Sequence, residues 1–245
     1  MSQAPAVIEH VLRASFERLA KPVYVALRRR ITGAFFERPS GIETEEIVRL
    51  ADLGAAAKDR VDYVPSGWLS LRRILPRREV APDDVFADFG SGKGRIVFLA
   101  AAHYPFKRVI GVEFLSELHA TAQRNIERTI HRLRCKNIEL VNRDVLDYDV
   151  PDDVTIAYFQ NPFTGHVFEA VIDKLIASMD RNPRAIRIVY ANPVEEEFLL
   201  SKGARLVRTA RGRRPSREWS RSRSIRLYEL SPDDKDRAQP VGRST

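Results

Sequence analysis

The sequence predicts an α/β fold in which a mostly parallel sheet is faced by helices and carries an antiparallel hairpin at one edge. Three observations predict it. From Asp84 onward, short apolar runs alternate with stretches of helical periodicity, the pattern of repeated βαβ units. The first run, Val85–Phe89, passes directly into a glycine-rich turn followed by an apolar helix. After the sixth run the chain returns without a helix, so the last two strands pair antiparallel. The arrangement is Rossmann-like, with expected strand order 3-2-1-4-5-7-6.

The elements follow in order. Val7, Val11, Phe16, Leu19, Val23, Leu27 and Ile31 recur at helical intervals between charged residues, and Pro22 should split this region into two helices. Pro39-Ser40-Gly41 reads as a turn, and Thr44-Glu45-Glu46-Ile47 as the capped start of another helix. Residues 1–60 are therefore expected to form a helical extension, residues 61–232 the sheet domain, and residues 233–245 a disordered tail. Strands are expected at Val85–Phe89, Arg108–Glu113, Ile138–Val141, Val154–Phe159, Ala185–Tyr190, Arg205–Thr209 and Ser224–Leu230. Helices are expected at Arg95–His103, Leu115–Leu133, His166–Met179 and Glu195–Ser201, with none between the third and fourth strands.

Composition narrows the functional classes. With 44% hydrophobic and 30% charged residues among 245, the chain resembles ordinary soluble globular proteins. No apolar run approaches the roughly 20 residues of a membrane span, and the N-terminus lacks a signal-peptide core, so a cytoplasmic location is expected. A single cysteine, Cys135, excludes an internal disulfide or a cysteine-based metal cluster. The net charge of +8 is matched by one stretch, Arg205 to Arg226, which holds nine arginines against the single acid Glu218. An anionic partner is therefore expected near that stretch, whereas Arg28-Arg29-Arg30 reads as a solvated helix face.

The strongest chemical signal is the run Asp88-Phe89-Gly90-Ser91-Gly92-Lys93-Gly94-Arg95. Glycines at alternate positions let the backbone turn sharply and approach a ligand, and the helix beyond presents unpaired amides. A nicotinamide dinucleotide site would have its third glycine one residue later, where Arg95 stands, and a phosphate-gripping P-loop would end in Gly-Lys-Ser/Thr. Both readings are therefore weak, and a plain tight turn with a capping Asp stays open beside a ligand site. Glu113, 19 residues past Gly94, ends the second strand where it can accept hydrogen bonds from ribose hydroxyls. Asp144 follows the third strand, where it can meet an adenine amino group.

Over residues 61–230 the sequence resembles the class I S-adenosylmethionine-dependent methyltransferases. It is more closely similar to the nucleosomal histone-lysine methyltransferases that lack a SET domain and to their bacterial relatives. That likeness rests on Tyr63-Val64-Pro65-Ser66, on Asp83 to Gly92, and on Asn161 followed by Phe163. The resemblance implies S-adenosyl-L-methionine as cofactor, with Asp88, Gly90 and Gly92 around its methionine part, Glu113 at the ribose, Asp144 at the adenine, and Ser91 and Gly94 also in the cofactor-binding turn. It also implies a methyl-acceptor substrate, with Tyr63 on the acceptor side. Pro162 departs from those enzymes, and their long nucleosome-binding flanks have no counterpart, so the resemblance does not carry over their substrate.

Asn161-Pro162-Phe163, at the carboxyl end of the fourth strand, is the best acceptor-side candidate. The Asn161 amide oxygen can accept a hydrogen bond from an attacking amine, while Phe163 and Tyr158 offer apolar or cation–π surface. Methyltransferases of adenine or glutamine amines carry a similar Asn-Pro-Pro-aromatic motif, with one more proline. His166 is a candidate proton acceptor, and Asn192-Pro193 reads as a structural strand exit. The basic stretch between the sixth and seventh strands should overhang the acceptor entrance, with Arg213, Arg214 and Trp219 offering charge and a stacking face. N-methylation of an amine such as a protein lysine is the leading expectation. RNA or a small molecule as acceptor, and a catalytically silent cofactor- or RNA-binding module, stay open, as does the oligomeric state.

Overall fold

The computed structural model of the chain describes residues 27, 30–55, 57–210 and 224–233. Seven strands form one sheet: β1 (Val85–Phe89), β2 (Arg108–Glu113), β3 (Ile138–Asn142), β4 (Ile156–Phe159), β5 (Ile186–Ala191), β6 (Arg205–Ala210) and β7 (Ile225–Leu230). Their order is β3-β2-β1-β4-β5-β7-β6. The pairs among β1 to β5 are parallel, and β7 runs antiparallel to both β5 and β6. The expected order and the edge hairpin are both present.

The helices are α1 (Ser70–Ile74), α2 (Arg95–His103), α3 (Ser116–Thr129), α4 (Gly165–Arg181) and α5 (Glu196–Ser201). Strand side chains alternate between faces, so β1 and β4 feed two cores. One holds Phe89, Phe159, Phe163, Phe168 and Tyr190. The other holds Trp68, Phe86, Tyr104, Phe106 and Tyr158. α2 is buried from Arg95 through Ala101, which explains its unbroken apolar sequence, whereas α3 buries only one stripe including Leu118, Ala122 and Ile126. Among the described residues, no helix is long and apolar enough to cross a membrane.

The N-terminal region departs from expectation. A helical run covers Gly33–Glu37 and Arg38–Ser40 and ends at Gly41. Thr44-Glu45-Glu46-Ile47 then forms no helix, although its sequence carries a cap signal. Long-range polar partners override that signal: the Thr44 amide and hydroxyl both donate to Glu37, and Arg95 Nε donates to the Thr44 hydroxyl at 2.7 Å. Among the described residues of 42–66 there is instead one 3-10 turn at Leu50–Leu53, with isolated antiparallel bridges between Val48 and Tyr63 and between Arg60 and Phe163. The helices expected from Ala6, the break at Pro22, Arg28 and Arg29, the basic loop 211–223, and the tail beyond Asp233 lie outside the described residues.

Candidate cofactor and acceptor site

The glycine turn sits at the carboxyl end of β1, between β2 and β4. The amides of Gly90 and Ser91 both donate to the Val112 carbonyl, and the Gly92 amide donates to Glu113 Oε2 at 2.8 Å. Gly90 and Gly92 have φ of 81° and 54°, a region that side chains disfavour. Close approach adds a second reason for glycine there. A Cβ on Gly90 would lie 2.3 Å from Pro162 Cβ, and one on Gly92 would lie 2.2 Å from Tyr63 Cε2. Two predicted site segments thus converge on the turn.

The three predicted acids also gather there. Asp88 is 3% exposed, and its carboxyl has no hydrogen-bond partner among the described residues. Burial, reinforced by the charge of Glu113, holds its pKa well above the ordinary carboxylate range. Glu113 ends β2, and its two oxygens accept the amides of Gly92 and Leu115, at 2.8 and 2.9 Å. Burial raises its pKa against those hydrogen bonds. Asp144 lies beyond β3 and differs in kind. Burial alone would raise its pKa, but the hydrogen bond from Arg60, the Leu146 amide and the nearby cationic charge together lower it.

Residues 57–66 lie across this edge. Arg60 pairs with Asp144 and stands 5.2 Å from the Phe114 ring centroid. The Val61 amide donates to the Pro162 carbonyl, the Thr164 amide to the Asp59 carbonyl, and Gln160 Nε2 to the Val64 carbonyl. Tyr63 OH donates to the Thr44 carbonyl. Below them, Arg95 is 2% exposed, donates to Thr44 and to the Ser66 carbonyl, pairs with Glu45 at 3.0 Å, and stacks on Trp68. Arg95 therefore joins the N-terminal segment to the foot of the glycine turn.

Asn161 has φ of 48°, and its Oδ1 is buried without a hydrogen-bond partner. Two neighbouring candidates, Tyr158 and Phe163, are both buried. Tyr158 is fully buried: as register partner of Asp88 it points into the α2-side core, near Phe86, and donates to Gln160 Oε1. Phe163 is 2% exposed and packs edge-on against Phe159. Strand alternation and the bend at Asn161 turn the two rings into opposite cores. His166 is exposed, with Nδ1 3.9 Å from Asp59 Oδ2. Arg213, Arg214 and Trp219 lie outside the described residues.

Sequence reasoning missed Arg60 and Phe114 as parts of this cluster, and it named Pro162 and Arg95 without the partners they meet. Arg60 precedes Tyr63 by three residues, and an arginine beside an otherwise apolar helix start was a usable sign at Arg95.

The sheet order is that of a Rossmann-like methyltransferase fold, and the glycine turn and the three acids lie at its carboxyl edge. The family model described as "Histone methylation protein DOT1" matches residues 68–156. A protein-lysine N-methyltransferase of Saccharolobus islandicus is 40% identical over 68 residues, covering 28% of this chain and 42% of that protein. The matched segment thus spans less than half of that relative. Among solved structures, the precorrin-6y C5,15-methyltransferase of Geobacter metallireducens is similar with TM-score 0.48 and 18% identity, over 66% of this chain and 85% of that one. The ribosomal protein L11 methylase of Lactobacillus delbrueckii is similar with TM-score 0.42 and 17% identity, over 60% and 69%.

Proposed function

We propose that this chain transfers a methyl group from S-adenosyl-L-methionine to an amine, with the ε-amine of a protein lysine as the leading acceptor. The observation that carries the acceptor type is the orphaned Asn161 Oδ1, a buried hydrogen-bond acceptor held at the end of β4. A buried unmet acceptor costs about 1–3 kcal/mol, so it is retained where a donor arrives. An amine N–H is such a donor. The residues also fit the cofactor: Asp88 is a buried carboxyl with no protein partner, and Glu113 keeps lone pairs beyond its two amide bonds. Bound there, the cofactor supplies an electrophilic sulfonium methyl.

The protein's task is then positioning and exclusion of water. Asn161 orients the nitrogen lone pair, and Pro162 against Gly90 fixes the distance between acceptor loop and glycine turn. The amine must be neutral at attack, and a desolvated site favours that form. His166, facing Asp59, is the candidate to receive the proton. The basic stretch 205–226 is the candidate contact for an anionic part of the substrate. The similarity to a protein-lysine N-methyltransferase supports lysine over other amines.

The test supplies labelled cofactor to host lysate and treats the product with protease or ribonuclease. Label released by protease supports the protein acceptor; label released by ribonuclease, or freely dialysable, overturns it. Calorimetry with S-adenosylhomocysteine tests the cofactor separately, with binding expected and lost in Gly92→Arg.

A further inference from the structure

We propose that the opposite edge of the sheet carries a second site, built by Arg72, Arg77 and His103, that binds a phosphate group. The chain leaves the glycine turn through α2, so His103, its last residue, lies at the amino edge of the strands, away from the cofactor turn. The Lys107 amide bonds the carbonyl of Asp84, next to the start of β1, which marks the same edge. There a cavity of about 260 Å³ is lined by Arg72 of α1, Arg77 of the short turn Arg77–Glu79, His103 and Tyr104. No carboxylate lines it. Tyr104 OH is committed to the Leu75 carbonyl at 2.7 Å, so one wall is rigid.

The arginines are uncompensated. Among the described residues neither guanidinium makes a hydrogen bond or ion pair, although Arg78 and Arg208 next to them both share Glu79. His103 feels the cluster: burial, then the charges of Arg72 and Arg77, lower its pKa. Helix ends do not balance this charge. The carboxyl end of a full helix carries only about half a negative charge, and α1 is a single short turn. Both arginines are exposed and screened by water, but two permanent positive charges line the cavity with no carboxylate among its lining residues. A guanidinium fork matches the tetrahedral oxygens of phosphate, and a phosphate would also favour a charged imidazole. The volume exceeds that of several waters at roughly 30 Å³ each, enough for a phosphate carrying a substituent.

Phosphate can come from a free anion or from a nucleic-acid backbone, and one experiment separates them. The His103 ring resonance, assigned with His103→Asn, is followed by NMR at about pH 6.5 while inorganic phosphate is added against chloride at equal ionic strength. A saturable shift with an upward move of the His103 titration midpoint is expected. Arg72→Gln/Arg77→Gln should weaken binding by about tenfold or more. A single-stranded RNA ten-mer is titrated in parallel. Binding about tenfold tighter than phosphate, lost in the same variant, assigns the backbone as source; equal or weaker binding assigns free phosphate. Absence of a saturable shift with either probe, or one unchanged in the double variant, overturns the site. None of these readouts depends on methyl transfer.

Discussion

At the scale of single residues, the site holds two polar groups that a purely structural protein would avoid. Asn161 combines a left-handed backbone with a buried, unpartnered amide oxygen. Asn161→Gly keeps the backbone conformation accessible and removes the orphan, so the melting temperature should stay level or rise. Turnover should fall by about 10²-fold with cofactor affinity unchanged, since only acceptor alignment is lost. Calorimetry and initial rates on the one variant check both halves. Asp88 makes a pH-dependent prediction. Its folded pKa stands well above its ordinary value of 3.8, so the native state binds the extra proton. Its contribution to stability is then full below about pH 3.8 and declines as pH rises towards the folded pKa, by up to about 1.4 kcal/mol per unit. Glu113 acts in the same direction. Asp88→Asn should flatten that decline in urea denaturation of the cofactor-free protein, and an unchanged slope would mean the carboxyl is not buried as described.

At the scale of elements, the segment over the site depends on a buried arginine. Arg95 meets Thr44, Glu45 and the Ser66 carbonyl from the first turn of α2. Arg95→Met leaves buried acceptors and Glu45 without their cation, a loss of about 3–5 kcal/mol. Hydrogen exchange should show protection falling first in residues 42–66 while β1, β2 and β4 stay protected longest. Gly92→Ala is expected to be severe, because strain at φ 54° adds to the overlap with Tyr63; Tyr63→Ala in the same chain should recover only the overlap. These contacts also show what the sequence concealed. The periodicity of β1, β2 and α2 names their residues correctly because each is settled by local burial. Thr44 carries an equally clear helix-start signal, yet its partners, Glu37 and Arg95, lie up to 51 positions away. For Tyr158 and Phe163 the strand direction was legible, but the core each ring joins was not.

At the scale of the whole molecule, the sheet fixes which ends of the chain share an edge. The edge hairpin was legible from one helix-free connection and the order β3-β2-β1-β4-β5-β7-β6 from the likeness to a methyltransferase sheet, while the gathering of Asp88, Glu113 and Asp144 follows from three parallel strands ending together. Arg60 reaching Asp144 was not legible, since 84 positions separate them and no period links them. The register has a further consequence. β7 pairs Ile225 with Ala191 and Leu230 with Ile186, and β6 pairs Ala210 with Ile225. Both strands flanking loop 211–223 therefore meet it at the carboxyl edge of β5, the edge that also carries Asn161 and the glycine turn. The loop contains Arg211, Arg213, Arg214, Arg217, Arg221 and Arg223. If these arginines draw an anionic part of the acceptor to the site, they act on encounter and not on the methyl-transfer step. Reversing four of them, Arg211, Arg213, Arg214 and Arg217, to glutamate should raise KM for a macromolecular acceptor by about tenfold or more, and should reduce the salt dependence of kcat/KM. kcat at saturation and the Kd for S-adenosylhomocysteine should not change, because the glycine turn and its acids belong to the other half of the sheet. Steady-state kinetics at two ionic strengths separate the outcomes: equal KM and equal salt slopes would leave the loop without a part in acceptor capture, and a fall in kcat alone would place it in the chemistry itself.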